Sequence, residues 1–95
     1  MTNTQRSEPR ERVDLPLQLG DGRAGIARDI SASGLFIETD SEQRMGGLVD
    51  VEIELDTPGG PMRLKAQGRI VRIESQGGRN GVAVKLVSSR LEPVK

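Results

Sequence analysis

Val49-Asp50-Val51-Glu52-Ile53-Glu54-Leu55-Asp56 alternates without a break, apolar at every odd position and acidic at every even one. That is the period of a strand with one buried face. Thr57-Pro58-Gly59-Gly60-Pro61 follows, a run of turn formers. The chain then continues as Met62-Arg63-Leu64-Lys65-Ala66-Gln67-Gly68-Arg69-Ile70, alternating again but with a basic polar face. The two runs read as an antiparallel hairpin. The expected register pairs Asp56 with Arg63, Glu54 with Lys65, Glu52 with Gln67 and Asp50 with Arg69. It sets Leu55 opposite Leu64, Ile53 opposite Ala66 and Val49 opposite Ile70. Each opposed charge pair contributes roughly 0.2–1 kcal/mol, and a one-residue slip would invert both faces. Four carboxylates on one face also suggest a cation site, but a basic neighbouring strand explains them better.

Working outward from this hairpin, Val71 and Ile73 shift the apolar phase, which predicts a bulge or bend near Gly68–Ile70. Gln76-Gly77-Gly78-Arg79-Asn80-Gly81 is rich in glycine, yet no Lys-Ser/Thr follows it and no helix opens there. It reads as a strand reversal rather than a phosphate cradle. Val82 to Val87 is the last strand, and Ser88 to Lys95 a short tail or at most one helical turn. On the other side, Val13 to Leu19 is a strand with Leu15, Leu17 and Leu19 inward and Pro16 outward. Gly20-Asp21-Gly22 turns the chain, and Arg23 to Ile30 returns with Ala24, Ile26 and Ile30 facing in. Arg28 shares that phase, so it needs either the barrel mouth or a bulge. Leu35 to Thr39 is the third strand, with Phe36 expected as core filling, and Asp40 to Gly47 is a polar connection. Short strands joined by tight turns, without a helical period, predict an all-β fold, a small antiparallel barrel. The division is an arm over residues 1–12, a barrel over 13–88 and a tail over 89–95.

Composition removes several function classes. With 95 residues the chain makes one domain. Its 14 Lys and Arg balance 14 Asp and Glu, whereas a general polyanion binder carries a basic excess. There is no Cys, His, Tyr or Trp. Disulfides and thiolate–zinc sites are therefore excluded, and acid–base catalysis near neutral pH would need a strongly shifted carboxylate or lysine. A single Phe argues against single-stranded DNA or RNA, whose binding leans on several stacking aromatics. No apolar run has the length of a membrane span or signal peptide, so the expected location is the cytoplasm, with no membrane insertion. No catalytic residue, metal ligand or cofactor is assigned.

Two stretches remain that carry ligand chemistry. Asp29-Ile30-Ser31-Ala32-Ser33-Gly34 places a carboxylate, hydroxyls and a glycine at a strand end, where Asp and Ser can tighten a turn and Gly34 can take a positive φ. The same cluster can receive a flat, hydrogen-bonding ligand. The arm carries Arg6, Arg10 and Arg12, and an arginine fork can meet a guanine edge or a phosphate with two parallel hydrogen bonds.

Taken together, the chain resembles the PilZ domain family from Gln5 to Leu86. Arg6-Ser7-Glu8-Pro9-Arg10 looks like its R-x-x-x-R motif, and Asp29 to Gly34 fits its [DN]-x-S-x-x-G motif, continued by Leu35-Phe36-Ile37. Gly68-Arg69-Ile70-Val71-Arg72-Ile73 and Gly81-Val82-Ala83-Val84-Lys85-Leu86 resemble two later strands of the family. The resemblance implies a six-stranded antiparallel β-barrel of split-barrel type, with little or no C-terminal helix here, and cyclic di-GMP as ligand. It implies that Arg6 and Arg10 close onto guanine edges and phosphates while Asp29 and Ser31 hydrogen-bond guanine and Gly34 permits close approach. Gln5, Ser33 and Arg69 are secondary contacts on the same reading. Gln5 stands where some members carry a further Arg, which leaves one bound ligand or an intercalated pair open. The implied function is a bacterial second-messenger receptor, monomer or weak dimer, that changes conformation and signals to a protein partner in motility, biofilm or exopolysaccharide control. A nucleotide-independent adaptor for a protein partner is the alternative, and an enzyme the weakest class.

Overall fold

Alternation along every strand sends one set of side chains inward, and six strands share that set. The structure, a computed structural model, describes residues 11–94. Its strands are β1 (Glu11–Leu19), β2 (Ala24–Ile30), β3 (Gly34–Thr39), β4 (Leu48–Thr57), β5 (Gly60–Gln76) and β6 (Arg79–Pro93). They close into an antiparallel barrel in the order β1-β2-β3-β6-β5-β4. Leu17, Leu19, Leu35, Ile37, Val51, Ile53, Ile70, Val82 and Val84 fill it, with Ala27, Val49 and Ala66. Among the described residues no helix is long and apolar enough to cross a membrane.

The β4–β5 hairpin forms, but two residues away from the expected register. Glu54 stands opposite Arg63, Glu52 opposite Lys65 and Asp50 opposite Gln67, while Asp56 faces Pro61 and Arg69 faces Leu48. Ile53 accordingly meets Leu64, and Val49 meets Gly68. A two-residue slip keeps both faces and still opposes unlike charges, so the alternation could not tell the two registers apart. The turn decides. Thr57 pairs with Gly60, leaving Pro58 and Gly59 at the tip instead of Gly59 and Gly60. The proline ring presets the φ wanted at the first tip position. Gly60 then takes φ +116°, which a side chain would resist, and the Thr57 hydroxyl donates to the Gly60 carbonyl at 2.7 Å. The charge ladder survives at its new positions: Arg63 Nη2 lies 3.2 Å from Glu54 Oε2, and Gln67 Nε2 donates to Asp50 Oδ1 at 3.1 Å.

Strand β2 is also in the other phase from that expected. Gly25 and Ala27 are buried, while Ala24 is exposed and Ile26 half-buried. The inward residues are the small ones because the space is narrow: a β-carbon on Gly25 would lie 2.9 Å from the Glu38 carbonyl oxygen and 3.3 Å from Leu17 Cδ1. Ala24, Ile26 and Arg28 do share a phase, but it is the outer one, so Arg28 needs no place in the core. A bulge follows, since Ala27 pairs with Ile37 and Asp29 with Phe36, and Ile30 returns to the core edge.

Where one bulge or bend is expected near Gly68–Ile70, the strand has two register shifts, between Gln67 and Gly68 and between Ile70 and Arg72. The segment read as a tail is strand: β6 runs to Pro93 and pairs Ser89 with Ala66, Leu91 with Leu64 and Glu92 with Arg63. The long β5 offers these residues a hydrogen-bonding edge, and Lys65 Nζ lies 3.9 Å from Glu92. At the other end β1 begins at Glu11, two residues before the expected boundary, because Glu11 and Arg12 pair with Ile30 and Asp29.

Candidate functional site

Three strands bring the site together on the outer face of the barrel. Arg12 of β1 stands opposite Asp29 of β2, and Asp29 stands opposite Phe36 of β3. Cross-strand partners hold their β-carbons about 5 Å apart, so cation, carboxylate and aromatic ring form one row. An open depression of about 660 Å³ lies over this row, lined by Arg12, Val13, Asp14, Arg28, Asp29, Phe36 and Glu38.

The β2 bulge turns Arg28 into this depression. Its Nη1 donates to Asp14 Oδ1, and its Nη2 donates to Glu38 Oε1 at 3.1 Å. The hydrogen bond to Glu38, then that to Asp14, raises the guanidinium pKa above its ordinary value. A residue that is permanently charged in any case is thus held between two carboxylates from neighbouring strands. Among the described residues, two guanidinium groups stand against three carboxylates, so that part of the lining carries one negative charge in excess.

Ser31 and Gly34 close the β2–β3 turn beside the row. The Ser31 amide donates to the Gly34 carbonyl at 2.9 Å, and the Gly34 amide donates to Ser31 Oγ at 3.2 Å. The turn is docked onto β6, where the Leu86 amide donates to the Ser33 carbonyl at 2.8 Å. Gly34 is not at positive φ, contrary to expectation. Its role is spatial: a β-carbon there would lie 2.9 Å from the Val84 carbonyl oxygen.

Of the residues singled out from the sequence, Asp29 lines the depression, and Ser31, Ser33 and Gly34 form the turn at its edge. Arg69 lies elsewhere, with Nη1 donating to the Gly46 carbonyl at 2.7 Å on the β3–β4 connection. It faces Lys85, which in turn faces Gly34, so two strand spacings separate it from the turn. Gln5, Arg6 and Arg10 lie outside the described residues. The sequence reading missed Asp14, Arg28, Phe36 and Glu38 as parts of this surface. Phe36 is half-buried on the outer face, not in the core, because Leu35 and Ile37 take the inward positions of β3. Its ring rests on Gly81 of β6, where a β-carbon would come within 2.6 Å of Cζ. The signal was the inward-phase anomaly of Arg28, together with the even-numbered phase that Phe36 shares with Glu38.

A closed six-stranded antiparallel barrel with an Asp-x-Ser-x-x-Gly turn at the edge of an outer-face depression defines a small β-barrel binding domain. The chain belongs to the PilZ domain family, matching the PilZ domain over residues 4–93. Such domains are binding and adaptor modules rather than enzymes. Among solved structures the chain is similar to the Bacillus subtilis inhibitor of motility (MotI/DgrA), with a TM-score of 0.79 and 14% sequence identity. The superposition covers 90% of this chain and 44% of that one, so this chain spans less than half of that protein's length. At this identity the likeness carries the fold alone. No curated protein sequence matches.

Proposed function

We propose that this chain is a non-catalytic receiver for cyclic di-GMP. The observation that carries the reading is the pairing of Glu11 with Ile30 and of Arg12 with Asp29. The sequence immediately before Glu11 holds Arg10 and, four positions earlier, Arg6. Chain connectivity therefore ties the arginine motif to the strand end that carries Asp29 and Ser31. Charge supports the same assignment. The described lining has an excess carboxylate, so a ligand with two phosphodiesters needs further cations, and the two motif arginines would supply them. A carboxylate accepts from guanine N–H groups, and arginine forks suit guanine N7 and O6.

Binding would join the segment bearing Arg6 and Arg10 to the barrel and create a composite surface for a downstream protein. Control of motility, biofilm or exopolysaccharide in the bacterial cytoplasm is the proposed setting. The similar solved protein is an inhibitor of motility, which makes a motility component the first partner to try.

Isothermal titration of cyclic di-GMP into the wild type and into Arg10→Ala tests the reading. Binding by the wild type that collapses in the variant supports it, and the molar ratio separates one ligand from two. Absence of binding to the wild type would transfer the chain to the adaptor class. Equal binding by both proteins would remove the arginine motif from the site.

A further inference from the structure

Phe36 is the single aromatic residue of the chain, and the fold spends it on the outer surface. The position is built for a ring. Gly81 leaves the space that the ring occupies, and Phe36 itself faces the small Ala83 across the β3–β6 ladder. A β-carbon at Gly81 would meet Cζ, Cε2 and Cε1 at 2.6, 3.3 and 3.5 Å, so β6 supports the underside of the ring. The ring also lines the depression over Asp29 and a second, smaller one formed with Glu38, Glu74, Arg79, Asn80 and Gly81. Core packing does not account for this arrangement, because Leu35 and Ile37 fill the interior from the same strand.

We infer that Phe36 is a base platform: its ring stacks on the guanine whose edge Asp29 accepts. This rests on the receiver reading above and adds to it the residue that grips the apolar face of the base. The geometry follows from the row. Asp29 and Phe36 are direct cross-strand partners on one face, so a planar base with its polar edge at the carboxylate lies beside the ring. Arg12, the partner of Asp29 on the other side, flanks the opposite edge of the same depression. Purines stack on aromatic rings through dispersion and π-face contact, an interaction that a carboxylate or a guanidinium hydrogen bond does not supply. Ring support from Gly81 makes the platform preorganised, which lowers the entropy lost on binding.

The test uses the whole chain, cyclic di-GMP and the variants Phe36→Leu and Phe36→Ala. Leucine keeps apolar bulk but has no π face. Base–aromatic stacking corresponds to roughly a 5- to 150-fold loss of affinity on truncation, so titration calorimetry should show Phe36→Leu weakened about tenfold or more. A second readout needs no variant. The chain has no His, Tyr or Trp, so after amide exchange in D2O its aromatic proton signals come from Phe36 alone. Saturation with cyclic di-GMP should shift those signals and move the guanine C8 proton upfield, with cross-relaxation between them. Wild-type binding with Phe36 signals unmoved, or Phe36→Leu binding within about twofold of wild type, overturns the platform while leaving the receiver intact. Failure of the wild type to bind overturns both.

Discussion

Phe36 lies across Gly81, close enough that a β-carbon on the glycine would come within 2.6 Å of the ring's Cζ. The atom in the way is the far end of a side chain on an open face, so substitution should displace the ring and leave the barrel standing. Gly81→Ala is expected to cost about 1 kcal/mol in urea unfolding, at the low end for overpacking. The Phe36 ring protons should shift in the same variant. Unchanged ring signals would mean that the ring does not rest on β6.

Gly60 and Gly59 separate the observed hairpin register from the one expected by charge matching. Gly60 holds φ +116°, whereas Gly59 is not among the positive-φ glycines and a β-carbon there would find nothing nearer than Thr57 Oγ1 at 3.9 Å. Gly60→Ala should therefore destabilise by roughly 1–3 kcal/mol and Gly59→Ala by well under that. Comparable losses at the two positions, read from chemical denaturation, would argue for the other tip.

Arg28 offsets Asp14 and Glu38 inside the depression. Arg28→Gln should change stability little, since its pair with Asp14 is exposed and its pair with Glu38 only partly buried. It should weaken cyclic di-GMP binding several-fold, because three carboxylates would then face the anionic ligand with Arg12 as the one cation among the described residues of that lining. The loss should be larger at low ionic strength, where charges are less screened. Titrations of wild type and variant at two salt concentrations give the comparison.

Asp21 shapes acid behaviour. Its carboxylate accepts the Arg23 amide at 2.9 Å and the hydroxyl of buried Ser41 at 3.0 Å. The Arg23 amide is the largest cause of a pKa held below the ordinary carboxylate value of 3.8, partly opposed by desolvation. A folded-state pKa below the unfolded one adds stability above the unfolded value, and the gain fades as pH falls through the folded value. Wild type should therefore lose stability relative to Asp21→Asn as pH drops below about 3.8. Parallel curves for the two proteins through that window, from thermal melts, would remove Asp21 from the acid response.

Ile53 is fully buried at the centre of β4, opposite Leu64 and beside Leu17. Ile53→Ala should cost about 2–5 kcal/mol, a large share of the stability of so small a domain. Cooperative unfolding monitored by far-UV dichroism checks this.

Much of the barrel was legible along the chain because strand alternation is a local property. The acidic and basic phases of β4 and β5, the leucines of β1 and a break in the alternation of β5 near Gly68–Ile70 each follow from which neighbours in sequence are apolar. The Asp29–Gly34 turn was legible in part: Ser31 closes it locally through its hydroxyl, whereas Gly34 serves the close approach of the Val84 carbonyl and not a positive φ. What alternation leaves open is anything that a two-residue slip or a change of face preserves. The β4–β5 register was of that kind, and the fixed φ of Pro58 and the positive φ of Gly60 decided it. The inward face of β2 was another, because the choice between Ala24/Ile26 and Gly25/Ala27 depends on how close Leu17 and the Glu38 carbonyl lie. Extension of β6 to Pro93 required the far edge of β5 as a partner. The role of Phe36 required Gly81, forty-five positions away, to make room for its ring. Periodicity and turn chemistry act between near neighbours and are written in the chain, whereas steric room and cross-strand partners exist only once the barrel has closed.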